Sequence, residues 1–309
     1  MSQYLTRRLL LVVPTLVGLS MVVFALVRLL PGDAVTMLLQ DYAYAKDADE
    51  MRAKLGLDRP MYEQYVGYLG DAVRFDFGDS QRLGRPAMDA VLDRLPATID
   101  LTLAATLLAV VIGLVLGVVA GGRPGSRLDR IVSAATIGLQ SFPTFWVGIM
   151  LILLFSLGLR LLPSAGVGTP AHLVLPAVTL SLPFVAIVAR VTRGSVAESM
   201  DEQYVQTARS KGLTNTQVLL GHVLRNSLVP VVTVVGIHIG QLMGGVVIVE
   251  NVFAWPGLGS LIVDAVANRD YAVVQAATLL IATIVLVLNL VADLVYTRLD
   301  PRIRLEGVS

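Results

Sequence analysis

"YVQTARSKGLTNTQVLLGHVLRNSLVP", residues 204–230, is a polar, basic stretch set between two long apolar ones at 172–191 and 231–250. Its local signals are those of two short helices. Ser199 and Glu202, three residues apart, make a capping box ahead of the first, which runs to Lys211 and stops at Gly212, with Arg209 and Lys211 at its negative end. Thr214 and Gln217 make a second box, and the next helix passes through Val218, Leu219, Val223 and Leu224 to Pro230, where the following apolar run opens. Each cap contributes about 1 kcal/mol, so 199–230 reads as a stiff hairpin and not as a floppy linker. A stiff polar element between two apolar crossings is what a membrane protein needs if something outside the bilayer is to push on it.

The rest of the chain fits that setting. Of its 309 residues 55% are hydrophobic and 15% charged, with mean hydropathy +0.73, far more apolar than a soluble domain. Six runs are long enough to cross about 30 Å of hydrocarbon at about 1.5 Å per residue. They span 9–30, 98–120, 134–158, 172–191, 231–250 and 275–297. The first follows Tyr4, Arg7 and Arg8 as a signal peptide would, but it exceeds an h-region and lacks an A-x-A site, so a retained anchor is expected. Pro14, Pro143, Pro176 and Pro183 fall inside spans and predict kinks.

Orientation follows from the cations. With the N-terminus in the cytoplasm, thirteen Lys and Arg lie inside, including Arg123, Arg127, Arg130, Arg190, Arg193, Arg209, Lys211, Arg225 and Arg298. The two short outer loops hold only Arg160 and Arg269. The long outer segment, 31–97, carries twelve acids and eight bases and is exempt by its length. Gly56 as a stop, Pro60 as a restart and Tyr62, Tyr65 and Tyr68 predict short helices there, lying on the outer face. That region either receives a soluble partner, forms a vestibule or caps the helix ends.

Within the spans, Gly113, Gly117 and Gly121 recur every four residues, and so do Gly236, Gly240 and Gly244, giving flat faces for close helix packing within or between subunits. His238 and Gln241 share one face of the fifth span, and Asn289 and Asp293 one face of the sixth. Either pair lines a solute path or makes helix-to-helix hydrogen bonds, and Asp293 is placed to anchor at the cytoplasmic end. Arg28 is placed to snorkel. In "VFAWPGLG", 252–259, Trp255 suits an outer interface and Pro256-Gly257 a type II turn.

Several chemistries are excluded. Cysteine is absent, His172, His222 and His238 are scattered, and a net charge of +1 does not suit a nucleic-acid binder. There is no G-x-x-x-x-G-K-[ST], so ATP phosphates are not cradled by this chain. Neither G-x-S-x-G nor H-E-x-x-H occurs, and no catalytic residue is nominated. Asp100, Glu250 and Asp293 sit near span ends, which leaves an ion-coupled secondary transporter without its mid-membrane carboxylate.

Residues 206–225 resemble the cytoplasmic EAA loop of ATP-binding-cassette importer permeases, whose short coupling helix docks in a cleft of an ATPase subunit. Gln206, Thr207 and Ala208 stand where E-A-A is usual, Gly212 is the motif glycine, and His222, Val223, Leu224 and Arg225 occupy the closing I-x-L-P. "TARSKG" and "HVLRNSLVP" are similar to the variant in dipeptide and oligopeptide permeases. So, in order, are "YLTRRLLLVVPTLVGLSMVVFALVRLLPGDAV", "GLDRPMYEQYVGYL", "RLPATIDLTLAA", "SFPTFWVGIMLILLFSLGL", "HLVLPAVTLSLPFVAIVARVTRGSVAE", "VENVFAWPGLGSLIVDAVANRDYAVVQA" and "LDPRIR". Ala34 and Gln206 depart from the usual residues, and Arg225 replaces the closing proline.

The resemblance implies a B-type permease subunit of the bacterial inner membrane with the type I importer fold. That fold is all-α and polytopic, with six transmembrane helices and both termini cytoplasmic. The implied organisation is an anchor at 1–30, an extracytoplasmic segment at 31–97, a permease core at 98–297 and a tail at 298–309. Gln206, Thr207, Ala208, Arg209, Lys211, Gly212, His222 and Arg225 become the ATPase-coupling residues. Implied partners are a C-type permease subunit, one or two ATPase subunits that use ATP and Mg, and an extracytoplasmic binding protein. The chain itself would bind no cofactor and lie in the lipid bilayer. Peptides are the implied cargo, with nickel, glutathione and haem carried by relatives.

Overall fold

The computed structural model describes residues 2–29 and 58–299, so readings that fall on 30–57 and 300–309, among them Ala34 and Gly56, lie outside it. The described residues are mostly helical, and they divide into two compact units, Met1–Arg94 with Leu261–Thr283, and Leu95–Ser260 with Ile284–Ser309.

In the first unit α1, Ser2–Leu29, carries Pro14 without a break in the helix, and α2, Met61–Val73, starts directly after Pro60. Tyr65 joins the two, its hydroxyl 2.9 Å from both Ser20 Oγ and the Val17 carbonyl and its ring against Phe24. Burial, and secondarily Tyr65, pushes the Tyr68 hydroxyl up to about 12. The all-α expectation misses a small antiparallel hairpin, β1 (Asp79–Ser80) with β2 (Arg85–Pro86). Gly84 closes its turn, and Ser80 Oγ donates at 2.5 Å to Asp270, a buried residue just ahead of the last long helix.

The long helix α3, Ala87–Gly121, begins well before the apolar run at 98. The third run does not form one rod. It splits into α4, Arg127–Ser141, and α5, Thr144–Leu151, continued by a π-helical segment Ile152–Gly158, with a bend of 101° between the halves. The cause is Pro143, which has no N–H and forces Phe142 into an extended conformation at φ −96°, ψ 137°. Pro176 and Pro183, by contrast, sit inside an unbroken α6, Pro170–Met200.

After α6 come α7 (Gln203–Ser210) and α8 (Asn215–Val218), then a π-helical stretch Leu219–Val223 leading into α9 (Leu224–Val252). The chain closes with α10, Leu258–Ala267, and α11, Tyr271–Leu299. Among the described residues four helices are long and apolar enough to cross a membrane, or five if the bent α4–α5 pair is one span, while α1 contributes a shorter apolar stretch, Leu10–Ala25.

The core of the second unit is built where α6 meets α9, with Leu180, Phe184, Val185 and Val188 against Leu242, Val246 and Val249. Glycine lets α3 approach α6 closely. A Cβ at Gly113 would lie 2.6 Å from Val188 Cβ, and one at Gly121 2.6 Å from the Arg193 carbonyl oxygen. Gly117 would likewise overlap Thr192. The second stripe faces α11 at two positions, Gly236 against Ala292 and Gly240 against Asn289, while Gly244 has open space beside it.

Candidate functional site

The hairpin at 203–223 is amphipathic. Val205, Ala208, Val218 and Val223 are buried together with Val196 of α6, and Met200, Leu213 and Leu219 pack around them. On the other side Gln206, Thr207, Arg209, Lys211, His222 and Arg225 are exposed. Burying four side chains fastens the hairpin to the end of α6, with Val118 of α3 packed against the same cluster, and its last turn runs on into α9. This inward and outward division follows from helical spacing, because Val205 and Ala208 lie three apart while Gln206 and Arg209 point the other way.

The end of α7 is fixed in detail. Gly212 adopts φ +84°, a left-handed conformation that L side chains rarely take, and its N–H donates to the Arg209 carbonyl at 2.9 Å. The Leu213 N–H donates back to the Ala208 carbonyl at 3.3 Å, completing a Schellman stop with Leu213 packed against the buried cluster. At the start of α8 the Thr214 and Gln217 box is complete, with Thr214 N donating to Gln217 Oε1 at 3.0 Å and Gln217 N to Thr214 Oγ1 at 3.4 Å. The Ser199 and Glu202 box does not form. Ser199 lies in the last turn of α6, which extends to Met200, and Glu202 occupies the N-cap of α7 with no side-chain hydrogen bond. Helix α6 instead continues beyond the apolar run to Met200, with Val196 buried in the hairpin cluster.

Beside the hairpin, α4 is tied to α6. Arg193 reaches Asp129 with Nε to Oδ1 and with Nη2 to Oδ2 at 2.8 Å, and Asp129 Oδ2 also accepts from the Gly125 N–H at 2.9 Å. Asp129 is 3% exposed. Sequence reading placed Arg193 only as an inside cation, since its partner lies 64 residues away.

At the far end of α9 the structure corrects two expectations. Trp255 is 7% exposed and its Nε1 donates to the Ala97 carbonyl at 2.9 Å, so it is a packed core residue and not an interfacial anchor. Pro256-Gly257 does not form a type II turn, because Gly257 lacks the positive φ that turn needs and positive φ falls on Ala254 at +47°. Gly257 is required for a different reason. A Cβ there would overlap Glu250 Oε1 and lie 2.5 Å from Thr98 Oγ1.

Glu250, read from the sequence as a span-end carboxylate, is fully buried. Its Oε1 accepts from Thr98 Oγ1 at 2.6 Å and its Oε2 from the Ser260 N–H at 3.0 Å, while Thr98 Oγ1 accepts from the Leu258 N–H at 2.8 Å. Thr98 and Glu250 thus satisfy the N–H groups of Leu258 and Ser260 in the first turn of α10. The signal for this clasp was a lone Glu followed by two closely spaced glycines, Gly257 and Gly259.

His238 and Gln241 do share one face of α9, where they line a cavity of about 190 Å3 with Thr144, Pro183 and Phe184. The His238 and Phe184 ring centroids are 5.6 Å apart.

Comparison with known proteins agrees with this architecture. Residues 109–305 match the binding-protein-dependent transport system inner membrane component, and residues 1–102 match the N-terminal region of such membrane components. The glutathione transport system permease protein GsiC of Escherichia coli strain K12 is 40% identical over 304 residues, covering 98% of this chain and 99% of the relative. The dipeptide transport system permease protein DppB of the same strain is 36% identical over 336 residues, with 98% and 99% covered. The fold resembles an inward-facing conformation of the MetNI methionine ABC transporter with a TM-score of 0.59, at 21% identity over 69% of this chain and 97% of that one. A second solved structure, an amino acid ABC transporter with histidines, gives a TM-score of 0.54 at 16% identity, with 68% and 94% covered. This chain belongs to the binding-protein-dependent transport system inner membrane components, as a permease of the ABC importers.

Proposed function

We propose that the chain is the B-type, pore-forming subunit of a peptide importer. It crosses the inner membrane six times with both termini in the cytoplasm, pairs with a C-type permease, and receives di- or oligopeptides, glutathione among them, from an extracytoplasmic binding protein. The ATP and Mg are used by one or two cytoplasmic ATPase subunits, since this sequence has no phosphate-cradling loop of its own. The full-length likeness to permeases named for dipeptide and glutathione transport supports the cargo class.

The observation that carries this reading is the two-faced hairpin. Val205, Ala208, Val218 and Val223 hold it to α6 and its last turn runs on into α9, while Gln206, Thr207, Arg209, Lys211, His222 and Arg225 are left to an ATPase cleft. ATP-driven closure of the ATPase pair pulls α7 and re-aims the long helices between inward-open and outward-open states. That coupling exists only insofar as the ATPase binds the two states differently. Gly113, Gly117 and Gly121 let α3 move with α6 as one body, and Gly236 and Gly240 do the same for α9 with α11.

The test is uptake by the reconstituted complex of Gly212→Pro and Ala208→Asp variants, with insertion checked separately. Both variants are expected in the membrane at normal level and inactive. Normal uptake by both would refute the lever.

A further inference from the structure

Two polar side chains, His238 and Gln241, line one groove beside α9. His238 is half-buried and Gln241 exposed on α9, inside a helix apolar enough to cross the membrane. Neither makes a hydrogen bond among the described residues. The primary amide of Gln241 carries two donors and an acceptor, and the His238 ring adds a donor and an acceptor. The groove therefore offers donors and acceptors to whatever enters it.

The groove has two unlike sides. Pro183, Phe184 and Ile187 of α6 make an apolar wall, and His238, Gln241 and Thr144, the first residue of α5, make a polar edge. Its volume of about 190 Å3 exceeds the roughly 150 Å3 that holds a benzene ring. One aromatic or branched aliphatic side chain fits it. An amide that both donates and accepts, such as that of Gln241, matches a peptide bond, which does the same.

We infer that this groove is a cargo subsite on the translocation path. It takes one apolar side chain of a passing peptide against Phe184 and Ile187, while Gln241 and His238 bond the adjoining peptide bond. The inference rests on the peptide-importer reading and adds a selectivity step inside the membrane, beyond that of the binding protein. Contact is transient by design, since a groove open on one side must release what it takes.

The chain contains no cysteine, so Gln241→Cys introduces its single thiol. In proteoliposomes holding the full complex, that thiol is expected to react with a charged, water-soluble methanethiosulfonate, read as a mass increase on this chain. Binding protein loaded with alanyl-phenylalanine, added with ATP, is expected to slow the reaction at least threefold more than binding protein loaded with alanyl-alanine. In uptake, Gln241→Leu is expected to lower both dipeptides about tenfold with their ratio unchanged. Phe184→Leu is expected to lower the alanyl-phenylalanine to alanyl-alanine ratio about tenfold with the binding protein's own affinities unchanged.

A thiol that reacts only with membrane-soluble reagents, or that cross-links to the second permease, would overturn the inference by showing lipid or a subunit in the groove. Equal reaction rates with both cargoes would also overturn it. If the unaltered complex moves neither dipeptide nor glutathione, the peptide-importer reading itself fails, and the labelling arm still decides whether water reaches the groove.

Discussion

Replacing Glu250 by alanine tests the clasp at the end of α9. The carboxylate is fully buried and accepts from Thr98 Oγ1 at 2.6 Å and from the Ser260 N–H at 3.0 Å. Truncation leaves those two donors without that acceptor, and each buried unsatisfied group costs about 1–3 kcal/mol. The sum is about 2–6 kcal/mol, with the void left by the side chain adding to it. Glu250→Gln keeps one acceptor oxygen but sets an NH2 group against a donor, so a loss of about 1–3 kcal/mol is expected. The readout is detergent-titrated unfolding of the purified complex followed by tryptophan fluorescence, because Trp255 lies in the same turn, with its N–H on the Glu250 carbonyl at 2.8 Å. Gly257→Ala is a second probe of the same contact, since its Cβ would overlap Glu250, and overpacking of this kind costs about 1–3 kcal/mol. A Glu250→Ala midpoint indistinguishable from that of the unaltered protein, with Gly257→Ala equally silent, would refute the clasp.

Other outcomes follow from the same structure. Gly212→Ala should destabilise the hairpin by about 1–2 kcal/mol, since its φ of +84° is costly for an L side chain, and Gly212→Asn should recover most of that loss; hydrogen exchange of the amides 205–213 reads both. Asp129→Ala should cost about 1–3 kcal/mol in the same unfolding assay, less than a fully buried pair because the Arg193 side chain is 38% exposed. Tyr68 should remain protonated in a phenolate absorbance titration until about pH 12, and since its folded pKa is raised from 10.0, the stability it contributes is present below pH 10 and is lost as pH rises through that interval.

Signals local in sequence were the legible ones. The glycine stop at Gly212 and the Thr214–Gln217 box each need only a few neighbouring residues, and the structure has both. The Ser199 box did not form because α6 runs on to Met200, with Val196 and Met200 packed in the hairpin cluster, and a cap signal is worth only about 1 kcal/mol. Pro143 was read as a kink but produces a break, because Phe142 must be extended and Thr144 then starts a fresh helix. Pro183, with the same chemistry, leaves α6 whole, between the buried Ser181 and Phe184 on a helix whose packing against α9 sequence does not reveal. The Thr98–Glu250 and Asp129–Arg193 contacts join residues 152 and 64 apart, so only the fold brings them together. His238 and Gln241 were visible as a polar pair, but the wall of Phe184 and Pro183 that gives the groove its shape was not.

The central claim is that an ATPase subunit grips the exposed face of α7. Arg209→Cys in the otherwise cysteine-free chain, treated with a short bifunctional thiol reagent in the assembled complex, tests it directly. The account predicts a cross-link to the ATPase subunit, whose yield changes when ATP is trapped in the closed dimer. A thiol labelled from the extracytoplasmic side of sealed vesicles, or one that joins no other subunit in any nucleotide state, would contradict it.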